Sequence, residues 1–124
     1  MQQWLTDDKS IYLQISQMIE TDILRGILLE EERVPSTNEL AKFYTINPAT
    51  AAKGINILVD DGILYKKRGI GMFVASGATE KIRARRKQAF YAVRLAELLA
   101  EAKSLGITRK ELIEQIEKGE DDHE

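Results

Sequence analysis

Ser36-Thr37-Asn38-Glu39 and Asn47-Pro48 stand close together in the chain, and each is a signal that opens an α-helix. In the first, the serine oxygen is placed to take the Glu39 amide while the glutamate reaches back to the Ser36 amide. That arrangement satisfies two of the donors a helix start leaves unpaired. In the second, Asn47 is placed to cap, with the Thr50 amide as its expected partner. Pro48 then occupies the first helical position, where its missing amide costs nothing. Two starts so near each other leave room for one short helix, about Thr37 to Tyr44, and a turn at Thr45-Ile46. The next helix runs from Pro48 to about Asp61 and stops at Gly62. Two helices joined by so short a turn have helix-turn-helix geometry, with the second free to enter a major groove.

The flanking sequence completes a recognisable unit. Ile11, Ile15, Met18, Ile19, Ile23 and Leu24 recur at three- and four-residue spacing, which predicts a first helix of about four turns, with Ser10 as N-cap and Gly26 as stop. After the helix pair, Ile63-Leu64-Tyr65-Lys66 and Met72-Phe73-Val74-Ala75 are β-prone and bracket Arg68-Gly69-Ile70-Gly71. Glycines there permit the positive φ of a tight turn, so this segment reads as a β-hairpin wing. Gly77 opens Ala-, Arg- and Leu-rich sequence with helical character from about Thr79 to Leu105, closed by Gly106. Thr108-Arg109-Lys110-Glu111 is a second capping box, ahead of Leu112, Ile113 and Ile116. The acidic end, Glu120 to Glu124, is expected to fray. The fold class is therefore α+β, mainly α: an N-terminal winged helix-turn-helix over residues 10–77 and a short C-terminal helical dimerisation tail over 78–124.

Composition narrows the function. The chain has 124 residues, 44% hydrophobic and 31% charged, as expected of one globular domain with an appendage. It has no cysteine, which removes disulfides, thiolate metal ligands and a cysteine nucleophile together. Its one histidine, His123, lies in the acidic end, so no histidine-based triad or metal cluster can form around the core. No metal, no cofactor and no enzymatic activity are expected. Met1-Gln2-Gln3-Trp4 opens without a basic run and an apolar stretch, and no window approaches bilayer length, so the expectation is a cytoplasmic protein with no membrane partner. The net charge is −2, yet Lys66-Lys67-Arg68 and the run Lys81, Arg83, Arg85, Arg86 and Lys87 form basic stripes on a near-neutral body. Such stripes suit a phosphate contact surface, although solvation of the helix entry suffices for the second.

Three stretches, in order, resemble the DNA-binding domain of the GntR family, whose pattern is Leu-Pro-Ser-x-Arg-x-Leu-Ala, a recognition helix, and a wing ending Gly-x-Gly-x-Phe-Val. They are Val34-Pro35-Ser36-Thr37-Asn38-Glu39-Leu40-Ala41, Leu58-Val59-Asp60-Asp61-Gly62-Ile63-Leu64 and Arg68-Gly69-Ile70-Gly71-Met72-Phe73-Val74. Asn47-Pro48-Ala49-Thr50 and the short tail resemble the YtrA-like branch in particular. The resemblance implies a transcription regulator, most simply a repressor, that binds a palindromic operator in double-stranded DNA as a homodimer. Three positions depart from the pattern: Asn38 replaces its arginine, Glu30-Glu31 replaces a Pro-Gly turn and sets acid near the expected phosphate face, and Gly54 stands where a better helix former belongs.

Candidate DNA contacts follow from the geometry. The first turn of the recognition helix offers Asn47, Ala49, Thr50 and Lys53 to bases and phosphates. Asn47 either caps and contacts DNA or only caps. Ser36, Thr37 and Asn38 open the preceding helix, where amides and the dipole attract phosphate oxygens, while Arg68 and Gly69 of the wing suit a minor groove or a backbone oxygen. In the tail, Phe90, Val93, Leu95, Leu98, Leu99, Ala102 and Leu105 cover more helix surface than one neighbour buries, which makes them candidate dimerisation residues. Two other readings stay open at this point: a winged-helix module used for protein contact, and a one-domain sensor of an unidentified small-molecule effector.

Overall fold

Residues 10–119 are described by the computed structural model of the chain. Met1 to Trp4 and the acidic end with His123 lie outside the described residues. Helix α1 spans Ile11–Leu24, α2 Thr37–Tyr44 and α3 Pro48–Asp60. Strands β1 (Leu64–Lys67) and β2 (Gly71–Val74) follow, then α4 (Ala78–Ala89), a π-helical stretch over Phe90–Leu95, α5 (Ala96–Ser104) and α6 (Arg109–Lys118). This mainly helical chain with one small sheet has the winged helix-turn-helix arrangement expected from the sequence. The chain separates into two compact units, with the division between Ala84 and Arg85.

In the first unit the apolar periodicity of α1 becomes a packed face. Ile15, Ile19 and Ile23 are buried against Leu40 and Ala41 of α2, Ala51, Ile55 and Leu58 of α3, Leu64 and Val74 of the wing, and Ala78 and Ile82 of α4. Side chains three and four residues apart share one helical face, so one stripe supplies the whole α1 contribution. The α1–α3 contact is close. The Ser16 hydroxyl donates to the Gly54 carbonyl at 2.6 Å, and a Cβ on Gly54 would stand 2.7 Å from the Tyr12 carbonyl oxygen. Gly54, which the sequence marks only as a weak helix former, is what lets the two backbones approach.

The wing pairs Leu64 with Val74 and Lys67 with Gly71 in antiparallel register. A further backbone segment, not foreseen from the sequence, lies along its other edge. The Glu31 amide donates to the Val74 carbonyl at 2.7 Å, the Val74 amide to Glu32 at 3.0 Å, and the Val34 amide to Met72 at 2.9 Å. Residues 31–34 thus cover the outer edge of β2, which would otherwise present unpaired groups.

In the second unit, α5 ends with Gly106 at φ 74° and the Ile107 amide bonded to the Ala102 carbonyl at 2.8 Å. The Thr108 capping box forms in full at the start of α6: the Thr108 hydroxyl accepts from the Glu111 amide, and the Glu111 carboxylate accepts from the Thr108 amide at 3.0 Å.

Candidate nucleic-acid interface

Helix α2 begins as its capping box requires. The Ser36 oxygen accepts from the Glu39 amide at 3.0 Å and Glu39 accepts from the Ser36 amide at 2.8 Å. Those bonds to Ser36 hold the Glu39 carboxyl below its ordinary value of 4.5. Ser36 and Thr37 are half-buried, while Asn38 and Glu39 are exposed.

Between α2 and α3, Thr45 takes the left-handed conformation, φ 54° and ψ 52°. A β-branched residue there is strained, by about 1–2 kcal/mol. That conformation reverses the chain sharply enough for the α3 cap, Asn47, to follow two residues on. Asn47 then caps α3, but on the Ala49 amide at 2.8 Å instead of the expected Thr50 amide. The Thr50 and Ala51 amides both donate to the Asn47 carbonyl, at 2.9 and 3.2 Å. With Pro48 lacking a donor, Asn47 accounts for every amide of the first turn. Helix α3 therefore presents side chains to a ligand and no free first-turn amide.

Those side chains sort cleanly. Ala51, Gly54, Ile55 and Leu58 are buried, while Asn47, Ala49 and Lys53 are exposed and Thr50 is half-buried at the edge of that face. Asn56, which the sequence reading did not single out, is exposed one turn beyond Lys53 on the same face. Helical spacing from Ala49 and Lys53 would have pointed to it. The Lys53 ammonium stands over the Tyr12 ring of α1, 4.1 Å from its centroid.

At the wing tip Lys66, Lys67 and Arg68 are all exposed. Gly69 has φ 77°, and the Ile70 amide closes the turn on the Lys67 carbonyl at 2.9 Å. Lys67 folds back over Phe73, 4.2 Å from the ring centroid, while Lys66 and Arg68 remain exposed. Gly71 is needed for its own backbone, φ 144°, which side-chain-bearing residues rarely adopt.

The acids at Glu30 to Glu32 have structural partners that the sequence did not reveal. Glu30 accepts from the Gly77 and Thr79 amides, at 3.0 and 3.1 Å, at the start of α4, and these bonds lower its carboxyl from 4.5. Glu31 accepts from the Tyr65 hydroxyl, and Glu32 from the Leu29 amide at 2.9 Å. Glu31, where the family pattern has the glycine of a Pro-Gly turn, has a left-handed backbone, φ 69°. The basic run is engaged too: Lys81 donates to the Asp61 carbonyl at 3.3 Å, and Arg83 pairs with Glu80.

In the second unit, Phe90, Val93, Leu98 and Leu105 are exposed and Leu95 and Leu99 half-buried, while Ala102 is only 6% exposed. Ala102 and Leu99 line a groove with Ile107 and Leu112, within this unit. Tyr91, Ile113 and Ile116 are exposed apolar positions outside the expected dimerisation set.

A capped helix pair with an open polar face on its second helix, flanked by a cationic hairpin, defines a winged helix-turn-helix domain of the DNA-binding type. Residues 11–74 match the profile of the bacterial regulatory proteins of the gntR family, and the chain belongs to that family. It is 30% identical over 108 residues to the transcriptional repressor YtrA of Bacillus subtilis (strain 168), a match that covers 87% of this chain and 82% of that protein. A GntR-family transcriptional regulator from Bacteroides thetaiotaomicron superposes with a TM-score of 0.73 at 38% identity, over 87% of this chain and 94% of that one. The DNA-binding domain of AraR, solved in complex with operator ORX1, superposes with a TM-score of 0.52 at 33% identity, over 60% and 92%. Other curated relatives match over 66 to 70 residues, and the chain spans only 18% to 29% of their length.

Proposed function

We propose that the chain represses transcription in the cytoplasm by binding an inverted-repeat operator as a homodimer. Residues 10–77 serve as the DNA-binding domain and residues 78–124 as the pairing tail. The exposed face of α3 carries this reading: Asn47, Ala49 and Lys53, with Thr50 at its edge, are presented together while the first-turn amides are internally satisfied. Lys53 neutralises a phosphate, and Thr50 bonds a phosphate or offers its methyl to a thymine. Ser36, Thr37 and Asn38 set the start of α2 against the backbone, and Arg68 with Gly69 follows the adjacent minor groove.

Repression is supported by the printed name of YtrA, and operator binding by the AraR complex. Pairing is supported by the exposed apolar side chains Phe90, Val93, Leu98 and Leu105. A two-fold dimer would set two α3 helices on half-sites about one DNA turn apart. Repeated selection from a random-sequence duplex pool tests the reading. Enrichment of an inverted repeat with that spacing is the expected result, and a pool that stays random after several rounds would refute it.

A further inference from the structure

We propose that Tyr12, on α1 and outside the helix-turn-helix, is a positioning residue for DNA binding: its ring holds the Lys53 ammonium in place on the face of α3. The inference rests on the DNA-binding reading of α3 and adds a residue to it.

Three observations place the ring. The ammonium lies 4.1 Å from the ring centroid, within cation–π range. Tyr12 is half-buried, whereas Lys53 is exposed. The α1–α3 contact beneath them is fixed at backbone level, with Gly54 at the Tyr12 carbonyl and the Ser16 hydroxyl on the Gly54 carbonyl. The backbones that carry Tyr12 and Lys53 are therefore held by the same close contact, which keeps the ring within reach of the lysine.

The chemistry of the shelf matters. A lysine side chain is long and flexible, and fixing it against a phosphate loses rotamer freedom. A carboxylate neighbour would pre-order it but would also neutralise it. A π face orders the stem while leaving the full charge and the N–H donors to a phosphate oxygen. On this account Tyr12 lowers the ordering cost of one phosphate contact in each half-site. Its removal weakens binding by at most about five-fold per half-site, the full worth of an exposed cation–π contact and so the ceiling on what ordering the lysine can contribute.

A double-mutant cycle tests this, using a fluorescein-labelled duplex enriched by the wild-type chain from a random pool and fluorescence anisotropy across a salt series. Tyr12→Phe keeps the ring and should bind like the wild type. Tyr12→Leu should bind more weakly, and Lys53→Ala should bind more weakly with a shallower salt slope. In the Lys53→Ala background, Tyr12→Leu should have no further effect. If Tyr12→Leu weakens binding equally with and without Lys53, the residue acts through the fold and the inference is overturned. If Lys53→Ala weakens binding while Tyr12→Leu binds normally, the inference fails and the DNA-binding reading survives. If the wild-type chain enriches no duplex, both fail. Thermal unfolding of each variant, measured alongside, separates loss of contact from loss of fold.

Discussion

Gly54 carries about 1 kcal/mol less helix propensity than alanine would, so on α3 alone Gly54→Ala should stabilise. The tertiary contact reverses that sign. The added Cβ would lie 2.7 Å from the Tyr12 carbonyl oxygen and 3.1 Å from Ile15 Cβ, and backbone cannot give way as a flexible side chain can. Overpacking of this kind costs about 1–3 kcal/mol. A net loss of up to about 2 kcal/mol is expected, read as a lower urea midpoint, and a raised midpoint would show that the helices separate freely. Thr45 offers the opposite case. It is exposed and held at φ 54°, and asparagine tolerates that conformation better, so Thr45→Asn should raise stability by about 0.5–1 kcal/mol in the same measurement. Neither effect was legible in full from the sequence. Gly54 showed there as an oddity in a helix, because the atoms it makes room for belong to α1; Thr45 sat in an expected turn whose φ no local signal announces.

Helix starts were the most legible elements, since a capping box closes on itself within four residues. Those at Ser36 and Thr108 form as read, and Asn47 caps as expected with only its amide partner changed. The partners of the acidic stretch before α2 were not legible, for the converse reason. The partners of Glu31 and Glu30 lie 34, 47 and 49 positions further along. At the level of elements, Glu30 ties the segment flanking β2 to the start of α4, and that tie depends on charge. Accepting two amides lowers the folded carboxyl from 4.5, so the folded state holds the proton less tightly than the unfolded chain. The stabilisation is complete above 4.5 and is lost as the pH falls through the lower folded value. Urea midpoints should therefore drop on acidification below 4.5, and Glu30→Gln should flatten part of that drop. Glu39 and Glu111 are lowered in the same direction by their capping boxes and should account for more of it. A variant with the full wild-type acid sensitivity would remove Glu30 from the account. The π-helical stretch at Phe90–Leu95 was invisible in the sequence, because one widened turn barely disturbs three- and four-residue spacing.

Two questions belong to the molecule as a whole: whether copies pair, and whether they read DNA. The apolar spacing of the tail was legible, but which side chains stay uncovered was not. Ala102 is enclosed in its own chain, whereas Ile113 and Ile116 of α6 remain exposed. Pairing through this unit predicts that Phe90→Asp or Leu98→Asp halves the mass found by sedimentation equilibrium while the far-ultraviolet circular dichroism is retained. A wild-type chain that sediments as a monomer throughout the micromolar range would rule the pairing out. The central claim is that the α3 face reads DNA sequence. Its most direct measurement is the affinity of the wild-type chain for the selected inverted repeat and for a scrambled duplex of the same length and composition, from low to high salt. The account predicts tighter binding to the repeat at every salt. It also predicts an affinity that falls with a log–log slope of roughly −0.9 for each phosphate neutralised. Equal, weak binding to both duplexes at all salts would contradict it.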